Sequence, residues 1–289
     1  MQTRMVPSFD GVDLFMKKDI PPKPKGVVLI VHGLCEHQGR YDYLTHRLNF
    51  KDLEVYRFDH RGHGQSHGKS VYYEDFTDIV KDIDAIVVEI KKEYEDLPLY
   101  IIGHSMGGYG VALYGSKYGN KADGFVLSGG LTRNNGEIGA GIPNDLGDET
   151  YVPNELGDGI CSDPKVIEAY KKDPLVKKEI SVGLFRRILE GVDFLKENPQ
   201  AFQKPVLVLH GSDDALVHEK DSRDFYGEIA SEDKTLKIYG KLQHEIFNEV
   251  SKDEVIGDVV FWIEKQLDPK HIDISYENTM DNMSEDLGL

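Results

Sequence analysis

The folds open to this chain are narrowed most by a rhythm. Short β-forming runs at 27–31, 53–58, 99–102, 124–128, 206–209 and 235–239 alternate with stretches of helical periodicity. Val27, Val28, Leu29, Ile30 and Val31 form an unbroken apolar run, as expected of a strand buried on both faces inside a parallel sheet. Phe76, Ile79, Val80, Ile83, Ile86, Val87 and Ile90 then recur at spacings of three and four, the stripe of a helix lying on a sheet. Further helix-compatible segments sit at 109–118, 220–230 and 253–267. Strand and helix in alternation, with right-handed crossovers, predict an α/β fold with a mostly parallel sheet flanked by helices. An Asp10-Gly11 turn signals a hairpin near the N-terminus, and 36–50 reads as a polar segment.

The rhythm breaks between 131 and 194. Residues 131–159 are rich in Gly, Asn, Pro, Asp and Glu, and 163–194 reads as helical, with Leu184, Phe185, Ile188 and Leu189 on one face. A stretch this long with little regular pattern is usually functional or disordered, and it reads here as a cap inserted over the sheet. Residues 1–130 and 195–268 are then the core, 131–194 the cap, and 269–289 an acidic tail expected to fray.

At the centre of the rhythm lies Gly103-His-Ser-Met-Gly-Gly108, directly after the run at 99–102. A serine hydroxyl is a weak nucleophile, and a tight strand-to-helix turn can present it beside a base and beside free N–H donors. Gly103 and Gly107 stand two residues either side of Ser105, where side chains would collide as strand and helix cross. The amide of Met106 then lies at a helix start, unpaired and positively polarised.

A serine nucleophile in this architecture is followed in the chain by a carboxylate and then a histidine base. The run at 206–209 ends in His210-Gly-Ser-Asp-Asp214, which offers Asp214 as the carboxylate and Asp213 as a turn or helix cap. His244 is the base that fits, because His218 is too close to Asp214 in sequence and His271 falls in the tail. The second oxyanion donor is expected from the loop after an earlier strand. His32-Gly33-Leu34 is placed for this, with Leu34 giving its amide and His32 orienting the loop by hydrogen bonds. His60, His63 and His67 beside Asp59 raise a metal site, but they lack a known ligand spacing. The expectation there is a strand-end loop with Asp59 and Arg61 paired, and neither metal nor cofactor is called for.

These motifs, His32-Gly33, Asp59-His-Arg-Gly-His-Gly-Gln-Ser66, Gly103 to Gly108, His210 to Asp214 and His244-Glu245, resemble the monoglyceride lipase and lysophospholipase branch of the α/β-hydrolases. The likeness runs from about residue 26 to 267 and includes the cap segment 161–175. It implies an α/β-hydrolase fold, a triad of Ser105, Asp214 and His244, an oxyanion hole from Leu34 and Met106, and a small-molecule ester as substrate. A proline-type serine aminopeptidase shares the fold, although the Gly103–Gly108 elbow lacks the tryptophan typical of that group, and some relatives only bind ligands. One departure from the branch is that residues 134–158 carry Glu137, Asp145, Asp148, Glu149, Glu155 and Asp158 with no Lys or Arg.

Charge bounds the partners. Lys and Arg number 34 against 51 Asp and Glu, a net −17, which repels nucleic acid and anionic lipid at long range. No apolar run approaches the ~20 residues of a membrane span, and no export signal is visible. Cys35 and Cys161 are therefore read as reduced thiols in a cytoplasmic protein without stable membrane association. Together with the acidic rim, this favours dispersed esters of short to medium acyl chain.

Overall fold

The computed structural model describes residues 1–143 and 145–268, so the tail at 269–289 and His271 lie outside the described residues. An eight-stranded sheet organises the molecule. Its strands are β1 (Gln2–Pro7), β2 (Asp13–Asp19), β3 (Gly26–Val31), β4 (Leu53–Phe58), β5 (Leu99–His104), β6 (Gly124–Ser128), β9 (Val206–Gly211) and β10 (Lys234–Tyr239). They lie side by side in the order β1-β2-β4-β3-β5-β6-β9-β10. Only the β1–β2 and β2–β4 pairings are antiparallel, and the rest of the sheet is parallel.

Alternation along each strand divides the core in two. In β3, Val27, Leu29 and Val31 join one apolar cluster while Val28 and Ile30 join the other, because successive side chains point to opposite faces. The first cluster is covered by α2 (Asp78–Glu93), α3 (Met106–Tyr118), α5 (Val182–Glu197) and α6 (Lys220–Glu228). The second is covered by α1 (Asp42–Asn49) and α7 (Lys252–Leu267). A run apolar at every position is thus a strand with a core on each side.

Two local expectations need correction. The polar segment 36–50 contains α1, a helix that buries only Leu44, Thr45 and Leu48, so its pattern is thin. The 163–194 segment is two helices, α4 (Pro164–Lys172) and α5, separated by a turn and by β8 (Glu179–Ser181), which pairs with β7 (Tyr151–Pro153). The break falls at Asp173, whose ψ of 122° is extended, the conformation that a following proline imposes. The side chain of Ser181 accepts the Leu184 amide at 3.1 Å and starts α5. At the other end of the insertion, buried Asp221 accepts the amides of Arg133, Asn134 and Asn135 at 2.8–3.0 Å.

Candidate active site

The parallel strands deliver their carboxyl ends to one edge of the sheet, where ligand sites form in such folds. Ser105 follows β5 and has φ 55° and ψ −119°, a conformation costly for a residue with a Cβ and held only by its surroundings. Its amide donates to the Ser128 carbonyl at the end of β6, at 2.9 Å. Strand and helix cross without room for side chains. A Cβ on Gly103 would overlap the Gly107 carbonyl, and one on Gly107 would overlap the carbonyls of Val31 and His32. The backbone of β3 is therefore the wall that α3 rests on.

In the loop after β9, Asp214 accepts the amides of Leu216 and Val217 through Oδ1, both at 2.9 Å. Its Oδ2 lies 2.7 Å from His244 Nδ1 and 2.9 Å from His210 Nε2. Burial works against the charge of this fully enclosed carboxylate, but His244 and His210 hold it well below the ordinary range. Asp213, next to it, is exposed and takes the hydroxyl of Ser212 at 2.7 Å. For His244, burial pushes the ring down in pKa, and the charge and hydrogen bond of Asp214 outweigh it, leaving the group above its usual value. The His244 ring stands 4.6 Å from that of His104, the residue preceding Ser105. His218 is exposed and turned to the Lys220 amide at 3.1 Å.

The loop after β3 packs against the serine, since a Cβ on Gly33 would come within 3.2 Å of Ser105 Cβ. His32 is fully buried and orients this loop. Its Nε2 accepts the His60 amide at 2.9 Å, so its Nδ1 carries the proton toward the Gly33 carbonyl, at 2.8 Å. The Gly33 amide is taken by Glu36 Oε1 at 2.6 Å. Met106 begins α3, so its amide has no acceptor within the helix.

Two charged residues, Glu36 and Arg40, were not singled out from the sequence, and Glu245 entered only as the neighbour of His244. Arg40 bonds Glu36 Oε2 at 2.7 Å and forks onto Glu245, with the second arm at 2.7 Å. Glu36 and Glu245 both border the cavity. The i, i+4 spacing of Glu36 and Arg40 was a visible signal, but Glu245 lies 205 positions from Arg40.

His60 and His63 pack round His32, with centroids 4.4 and 5.5 Å away, whereas His67 is exposed beside Asp13 at 3.6 Å. Among the described residues no three His, Cys, Asp or Glu converge as a metal site. The expected Asp59–Arg61 pair is absent. Asp59 instead accepts the amides of Gln38 and Gln65, both at 2.8 Å, and Arg61 bonds Asp82 and Asp10.

A cavity of about 280 Å³ opens over Ser105 and His244. Leu131, Ile138, Phe185, Ile188, Leu216 and Val217 form its apolar wall. Of the four residues read as one face of the cap helix, Phe185 and Ile188 line the cavity, Leu184 is fully buried in the core, and Leu189 lies against Gly139. The acidic rim is partly neutralised from outside its own segment. Glu149 pairs with Lys69, Asp148 with Arg186 and Arg187, and Asp158 with Lys171. No helix among the described residues is long and apolar enough to cross a membrane.

Residues 22–251 match the family model described as serine aminopeptidase, S33. The chain is 36% identical over 259 residues to the monoacylglycerol lipase of Mycolicibacterium smegmatis, covering 84% of this chain and 90% of that protein. It is 30% identical to the monoglyceride lipase of Mus musculus, covering 89% of each. A crystal structure of a soluble variant of monoglyceride lipase from Saccharomyces cerevisiae, in complex with a substrate analog, superposes with a TM-score of 0.79. It shares 26% identity and covers 92% of this chain and 94% of that one.

Proposed function

The chain belongs to the serine aminopeptidase, S33, family of α/β-hydrolases, and we propose that it cleaves carboxylic esters through an acyl-enzyme formed on Ser105. The protein is an ester-hydrolysing enzyme. In this reading His244 takes the Ser105 proton and returns it to the departing alcohol, and Asp214 holds the imidazole with Nε2 toward the serine. The amides of Leu34 and Met106 stabilise the oxyanion. Water then repeats the cycle on the acyl-enzyme. Nucleophile, base and electrophile all come from the chain, so no step calls for a metal or cofactor. Residues 1–130 and 195–268 serve as the catalytic core and 131–194 as its cap.

The observation that carries this reading is the 2.7 Å contact between His244 and a fully enclosed, ionised Asp214, under the same cavity as Ser105. An aminopeptidase would require a carboxylate free to take the substrate ammonium. The two carboxylates on the cavity wall, Glu36 and Glu245, are committed to Gly33, Tyr41, Arg40 and Asn248.

For substrate, a volume of about 280 Å³ falls just below the range of about 300 to 1,000 Å³ usual for ligand pockets. It suits one acyl chain of short to medium length with a small alcohol, monoacylglycerols included. A fluorophosphonate should label Ser105 in the wild type and nothing in Ser105→Ala. Across a series of 4-nitrophenyl esters and monoacylglycerols, rates should rise smoothly with monomer concentration. A jump on crossing the critical micelle concentration would overturn the dispersed-substrate reading, and hydrolysis of aminoacyl chromogens in preference to esters would overturn the ester reading.

A further inference from the structure

Among the described residues Glu36 makes no hydrogen bond to the candidate triad, yet it holds the segment that lies on Ser105. Its Oε1 accepts the Gly33 amide and the Tyr41 hydroxyl, both at 2.6 Å, and its Oε2 accepts Arg40 at 2.7 Å. Three donors converge on one carboxylate that is only 3% exposed. Burial opposes its charge, but Arg40 and these hydrogen bonds hold its pKa below the usual value.

The geometry has two consequences. Glu36 occupies the Gly33 amide, so that amide is not a candidate for the oxyanion, and the same bond closes a turn that contains Leu34. Arg40, on the far side of the carboxylate, is gripped by Glu245, the residue after His244, and Asn248 steadies Glu245 at 2.9 Å. The Arg40 guanidinium also stacks 4.9 Å from the Tyr170 ring in the cap helix α4. A single brace therefore runs from the oxyanion loop to the loop of the base.

We propose that Glu36 is a positioning residue for the oxyanion hole, fixing the Leu34 amide through its bond to Gly33. This rests on the reading of Ser105 as nucleophile and Leu34 as oxyanion donor. Such a role acts on the transition state, where negative charge appears, and leaves ground-state binding of the ester nearly untouched.

The test uses Glu36→Gln and Glu36→Ala in the full chain, with active sites counted by fluorophosphonate titration so that only folded, reactive enzyme enters the rate. Glutamine can still accept the Gly33 amide but turns an N–H toward Arg40, whereas alanine releases the loop. Losing an oxyanion donor outright costs about 10²–10³-fold in kcat. A loosened donor should then cost about tenfold in Glu36→Gln and about a hundredfold in Glu36→Ala, with KM moving less than about threefold. Affinity for a trifluoromethyl ketone, which forms the tetrahedral adduct, should fall in step with kcat/KM, while affinity for the matching fatty alcohol should not. If Glu36→Ala keeps kcat per titrated site within about twofold of wild type, or if KM rises while kcat holds, Glu36 is not a positioning residue. Should Glu36→Ala not fold, Glu36→Gln decides alone by the same ratio of ketone to alcohol affinity. Failure of the wild type itself to titrate would instead overturn the nucleophile reading, and the two failures are distinct.

Discussion

Asp213 and Asp214 are neighbours in the chain and opposites in environment. One is exposed beside Ser212, and the other is enclosed between two histidines and two amides. Asp214→Asn should therefore lower ester hydrolysis by orders of magnitude and Asp213→Asn by less than a few fold. Ser105→Ala and His244→Ala should cost up to about a millionfold, with the double variant hardly worse than either single one. Steady-state rates on protein of verified fold decide this, and a more damaging Asp213→Asn would reassign the carboxylate. The same contact sets the pH profile. As the proposed base His244 must be neutral, and it is held above its usual value by Asp214, so the acid limb of kcat/KM should lie above about 6.5. Asp214→Asn removes the raising charge and should move the residual limb to lower pH. A limb that stays where it was would show that another group titrates.

Glycines separate two kinds of constraint at the level of elements. In the crossing of β5 and α3, the position a Cβ would take on Gly107 is filled by the backbone of β3, which cannot give way as a side-chain end can. Gly257, inside α7, has nothing within 4 Å of where its Cβ would be. Gly107→Ala should push α3 off the sheet and cost more than the ~1–3 kcal/mol of ordinary overpacking, with activity lost. Gly257→Ala should stabilise by about 0.5–1 kcal/mol, because alanine loses less backbone entropy in a helix. Chemical denaturation of both variants measures the contrast, and equal effects would mean that the crossing is not the tight element described here.

The whole molecule carries an unusual load of buried neutral histidines. Burial pushes His32 well below its ordinary value, His60 to about 3, His63 to about 4 and His104 to about 3. These groups stay neutral when folded but bind protons below about 6.5 when unfolded. Their contribution is therefore lost as pH falls through that window, whereas His244, raised by Asp214, gives a stability that is present below about 6.5 and is lost only as pH rises above it. Stability should decline between about pH 6.5 and 5, above the range where ordinary carboxylates titrate. Melting temperature followed across that window, with proton uptake on unfolding from calorimetry, provides the check. A flat profile down to pH 5 would show that these rings are protonated in the folded state.

The parallel core, the strand-to-helix turn at Ser105 and the members of the candidate triad were legible in the amino-acid sequence alone, because each rests on a local rule. A run apolar at every position implies burial on both faces, and Gly103 and Gly107 mark where two backbones meet. The short helix at 42–49 was not legible, since it presents only three buried residues. What depends on residues distant in the chain was decided by the tertiary structure. The partners that enclose Asp214, His210 and His244 with the amides of Leu216 and Val217, are brought together by the fold. The acidic cap segment took its counter-ions from Lys69, Lys171, Arg186 and Arg187, outside its own span. Arg61 found Asp82 rather than Asp59, and Glu36 met Glu245 only through Arg40. Periodicity records which face of an element is buried. Charge pairing depends on which elements face each other, and that is settled only when the sheet order brings them together.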